Sequence, residues 1–136
     1  MTALASITAV RPTVNTKVSA PLLYGATISA GQPVYLDSSN LLQLADSNSS
    51  ATTAKVKGIA MTPGVNGGYG IIATEGGVIL VGTTAAVGET YYAGATAGTI
   101  VPDSDLTTAD YVSRIGTASS TTQIELSIVN TGIVHA

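Results

Sequence analysis

Side chains able to do chemistry are few in this 136-residue chain, and they are poorly grouped. The single imidazole, His135, stands beside the C-terminus. General-base work in a Ser-His-Asp arrangement needs that ring held against a rigid site, and a tail residue reads as solvated instead. With no Cys and one His, a zinc site of the usual nitrogen and sulfur type cannot be completed within one chain. Three copies of His135 brought together in a trimer are the remaining route. Asp103, Ser104, Asp105 and Asp110 offer hard oxygen ligands, but the EF-hand spacing is absent and calcium takes roughly six to eight oxygens. Pro102-Asp103 reads as turn chemistry. Glycoside hydrolysis needs two acids facing one cleft, and nothing singles out a pair among the acids here. The glycine-rich Gly64–Gly70 stretch lacks the Gly-Lys-Ser/Thr of a phosphate loop and reads as a hairpin turn. The expectation is a protein that is not an enzyme, with no cofactor and no metal.

The elements that would have to position such groups are all short and extended. No segment holds an apolar period of 3.6 for three turns. Gln123 to Val129 alternates instead, with Ile124, Leu126 and Ile128 on one face. Val34-Tyr35-Leu36 and Leu41 to Leu44 flank the turn residues Asp37 to Asn40, a hairpin in outline. The pattern Gly31 to Asp46 returns at Gly88 to Asp103. Val34-Tyr35 matches Tyr91-Tyr92, and Val56 to Ala60 matches Arg114 to Ala118 with a drift of one position. Asn66-Gly67 predicts a tight turn with both residues at positive φ. Gly76-Gly77 predicts a second turn ahead of the apolar strand Val78 to Val81, which reads as covered on both faces. Leu106 to Asp110 could form one helical turn. The fold class is all-β: a compact β-barrel or β-tulip-like domain of short strands over 22–136, with an internal duplication and an extended N-terminal arm over 1–21.

Composition narrows the role. Phe, Trp and Cys are absent, so the core must come from aliphatic residues, Ala and some of the six Tyr. Charged residues are 10% of the chain, against about 25% in ordinary soluble domains. Such a chain either hides surface in an assembly or carries an uncharged Ser, Thr and Asn exterior. A net charge of −3 argues against a nucleic-acid partner. Pro21, Gly25, Gly31 and Pro33 break the longest apolar-leaning run, so no membrane helix is expected. The first ten residues lack a signal peptide's basic and apolar regions. The arm reads either as a frayed end or as a strap lying on a neighbour. Its candidate partner-binding residues are Leu4, Ile7, Val10, Arg11, Val14 and Lys17, with Tyr24 where the folded part begins.

The order of these segments carries a resemblance. Ile28 to Asp37 is followed by Val56 to Ala60 and the Gly77 to Val81 strand. Val87 to Tyr92, Gly98 to Pro102, Asp110 to Gly116 and Ile124 to Ile128 complete the series. Over roughly residues 22–130 this resembles the tailed-phage capsid decoration (cement) proteins, apart from the long polar loop at 47–54. The resemblance implies a β-tulip fold and a homotrimer made in the host cytoplasm. It also implies residence on the outer capsid surface, with the arm reaching the major capsid protein or an adjacent subunit. A glycan-binding head-fibre or adhesin module and a tail or baseplate component are the alternatives.

Overall fold

The computed structural model describes residues 3–135. Twelve strands follow one another: β1 (Ala9–Pro12), β2 (Lys17–Val18), β3 (Leu22–Leu23), β4 (Pro33–Leu36), β5 (Leu42–Leu44), β6 (Gly58–Ala60), β7 (Tyr69–Gly70), β8 (Ile72–Val81), β9 (Thr90–Ala93), β10 (Ile100–Pro102), β11 (Tyr111–Ala118) and β12 (Gln123–Val134). The chain is all-β, with one antiparallel sheet curled into a half-barrel. Its order is β10-β9-β11-β12-β8-β6-β4-β5.

That order is the same read from either end. Each half supplies a hairpin (β4-β5 or β9-β10), a return strand (β6 or β11) and a long strand (β8 or β12). The duplication therefore extends past the hairpins to the two long strands, which pair antiparallel at the centre from Gln123↔Ile79 to Leu126↔Gly76. Equivalent residues take equivalent places. Gly31 and Gly88 enter the hairpins at φ of 89° and 82°. Val34 pairs with Gly58, and its counterpart Tyr91 pairs with Gly116.

Gly76 does not turn the chain. β8 runs straight through it as a ten-residue strand, with Gly76 at φ 85° as a bulge. The extra residue shifts the alternation. Ala73 and Val78 consequently both reach the main core although they are an odd number of residues apart. Val78 and Leu80 are buried while Ile79 and Val81 are only half-buried, so this stretch is covered fully on one face. The Asn66-Gly67 turn also differs from expectation. Only Gly67 has positive φ, and Gly68 N–H donates to the Val65 carbonyl at 2.9 Å. One helical turn exists, but at Asp103–Asp105 rather than at 106–110.

Two cores result. The main one joins Ile59, Ala73, Val78, Leu80, Tyr91, Ile115, Ile124 and Leu126 inside the curl. The second packs Val34, Leu42, Ala60 and Ile72, on the opposite face of the first repeat, against Tyr24 and Ile28. Equivalent positions Val34 and Tyr91 thus serve different cores. β3, β7 and the loop between β6 and β7 lie at the second core, where Tyr24 N–H donates to the Gly68 carbonyl at 2.7 Å.

Candidate interaction surfaces

The arm is extended, and it lies along its own chain. From Thr8 to Ser19 it follows one edge of β8, with β1 and then β2 in antiparallel register. The opposite edge of β8 is shared by β12 and β6. Between β1 and β2 the backbone leaves the ladder and side chains replace it. Thr13 and Thr16 hydroxyls donate to the Gly77 carbonyl, and Gly77 N–H donates to Asn15 Oδ1 at 3.2 Å.

This placement divides the candidate partner-binding residues. Leu4 and Val10 are 6% and 8% exposed in the main core. Leu4 N–H also donates to the Ile100 carbonyl at 2.9 Å. Ile7 packs over Gly31, where a Cβ would overlap it. Tyr24 is fully buried, its hydroxyl donating to the Thr62 carbonyl at 2.6 Å. The expectation that these four face a neighbour is therefore corrected: they are consumed within the chain. The reason is the sheet itself, whose long β8 strand offers a free edge and an apolar face to the nearest extended segment. Arg11, Val14 and Lys17 point outward. Val14 is fully exposed at the tip of the clamped Thr13–Thr16 turn. Lys17 Nζ lies 3.1 Å from Glu75 Oε2, an exposed pair contributing little.

No protein-family model matches this chain, and no curated protein matches it.

The chemistry-bearing residues settle into structural positions. His135 is not a free tail: its N–H donates to the Asp110 carbonyl at 2.6 Å and its carbonyl accepts from Ala109 N–H at 3.1 Å. Its Nε2 stands 3.7 Å from Asp103 Oδ1. Asp110 is buried and accepts from Thr107 N–H and hydroxyl at 2.8 and 3.0 Å, an ordinary turn-capping use of a carboxylate. Among the described residues no group of three or more His, Cys, Asp or Glu could hold a metal ion. Asp37 has its carboxyl held below the usual value by the Leu41 N–H, the Gln43 side chain and the Ser39 N–H. A cleft of about 180 Å³ where Leu4, Ile7, Gly31 and Gly98 meet is below the size of an ordinary small-molecule site.

Of the tyrosines, Tyr24 and Tyr91 are buried, Tyr35, Tyr92 and Tyr111 are half-buried, and Tyr69 alone is 70% exposed. The exposed apolar side chains are Val14, Val18, Val65, Val87, Val129, Ile133 and Val134. Sequence reasoning did not separate these from their buried neighbours. Alternation could have singled out Val129, which follows inward-facing Ile128 in β12.

Proposed function

We propose that this protein is a structural capsid decoration protein, acting through contact area and not through catalysis. It binds the outer surface of an expanded phage head and bridges neighbouring capsomers. Its partners are the major capsid protein and further copies of itself, in trimers.

The observation that carries the reading is how its exposed apolar side chains are held. Val14 rides on a turn tied at both ends to Gly77. Val65 sits on a turn closed by the Gly68 N–H. A rigid element loses little entropy on docking, so modest apolar contacts suffice for association. A ligand that favours the expanded shell stabilises it by mass action, and copies on every capsomer multiply the effect. The order of β segments, matched to the decoration proteins from residue 22 onward, supports the same reading. A glycan-binding role would draw on clustered exposed tyrosines, and Tyr69 stands by itself.

The test is co-sedimentation of the purified protein with expanded and unexpanded heads, followed by image reconstruction of the decorated particle. Density for this fold on the outer surface, with Val14 at the shell, is the expected result. Absence of binding to expanded heads would remove the proposal.

A further inference from the structure

The margins of the sheet are guarded, with one exception. β10 is short, ends in Pro102 and has its Ile100 carbonyl taken by the Leu4 N–H. β5 is covered by Tyr24 and Gly25, whose N–H donates to the Leu42 carbonyl at 2.9 Å. The arm strands carry Arg11, Pro12 and Lys17. β12 is different. It pairs with β8 only from Gln123 to Leu126. From Ser127 onward it is bonded to β11 alone among the described residues. That stretch reads SIVNTGIV, without a charge or a proline. Val129, Ile133 and Val134 on it are 44%, 66% and 48% exposed. Sheets blunt open edges with charge, proline, short strands or a cover, and the one irregularity here is Gly132 at φ 67°.

We infer that the Ser127–Val134 edge pairs with the same edge of a second copy, antiparallel about a two-fold axis. A row of main-chain donors and acceptors selects an extended strand as its occupant. An uncharged strand meets its own copy without the like-charge repulsion that would oppose it. Ile128, Val129, Thr131, Ile133 and Val134 are β-branched, the type that packs best across a strand pair. An isologous contact of this kind closes on itself, so it is independent of any threefold association. On a capsid it would join neighbouring units across local two-folds. That last role rests on the proposed function; the pairing itself does not.

The chain has no cysteine, so one introduced thiol can cross-link only between molecules. An antiparallel two-fold brings central residues of the edge close to their own copies. Val129→Cys and Thr131→Cys are therefore expected to give disulfide-linked dimers under mild oxidation. Val87→Cys, exposed at the opposite end of β11, is expected to stay monomeric on the same gel. Val129→Lys with Ile133→Lys is expected to weaken self-association in sedimentation by about tenfold or more, with circular dichroism unchanged. Equal cross-linking at Val87→Cys overturns the inference, as does association indifferent to the lysines. None of these measurements uses a capsid, so their failure leaves the shell-binding result unaffected.

Discussion

The Asn130 side chain holds the backbone of Val56 from both sides of one residue. Its Oδ1 accepts from Val56 N–H at 2.9 Å, and its Nδ2 donates to the Val56 carbonyl at 3.0 Å. Ser113, paired with Asn130 across β11 and β12, donates its hydroxyl to the neighbouring Ala54 carbonyl. A segment leading into the first repeat's β6 is thus fastened to the second repeat by side chains. Asn130→Ala removes both bonds and leaves the Val56 main chain unpaired. We expect a loss of about 1–3 kcal/mol in urea unfolding. Asn130→Asp keeps the acceptor but sets an oxygen against the Val56 carbonyl, and should lose stability as well.

Gly76 makes the bulge in β8, and a Cβ there would overlap the Asn15 carbonyl while φ stays positive. Gly76→Ala should therefore cost about 1–3 kcal/mol. Proteolysis should show residues 13–16 becoming accessible before the rest of the sheet opens.

Leu4 reports on where the arm spends its apolar side chains. Leu4→Ala should lower stability of the isolated protein by about 2–4 kcal/mol, because the residue is buried in the main core. A loss confined to shell binding, with the melt unchanged, would contradict the docked arm. Val14→Ser should behave the other way, with an unchanged melt and weaker binding to expanded heads.

Ala109 sits at φ 78° while its N–H donates to the His135 carbonyl. Glycine reaches that conformation without a Cβ clash. Ala109→Gly is expected to raise stability by about 0.5–1 kcal/mol, measured as a higher urea midpoint at unchanged slope.

Asp37 sets part of the acid limit of the fold. Its folded pKa lies below the model value of 3.8, chiefly through the Leu41 N–H and then the Gln43 side chain. A depressed carboxylate adds stability at pH above the unfolded value, and that contribution disappears as pH falls through the folded value. Asp37→Asn should flatten the acid limb of a stability–pH profile in that window and leave the neutral region nearly unchanged.

The sequence alone determined the strand content, the hairpins and the repeat. Turn residues and β-branched runs act locally, so Gly31, Gly88 and the Asp37–Asn40 turn announce themselves without any partner. It also separated the chain from helical classes, since no apolar period of 3.6 survives three turns. What the tertiary structure decided was partnership. The arm's Leu4 and Val10 look the same whether they bind a neighbour or their own sheet, because an apolar side chain is satisfied by any apolar surface. Gly76-Gly77 reads as a turn until β1, β12 and β6 are seen to line both edges of β8, and pairing on both edges keeps a strand straight where local propensity would bend it. Which face of each repeat is buried was likewise hidden. Val34 and Tyr91 hold equivalent places, and only the curl of the sheet sends one to each core.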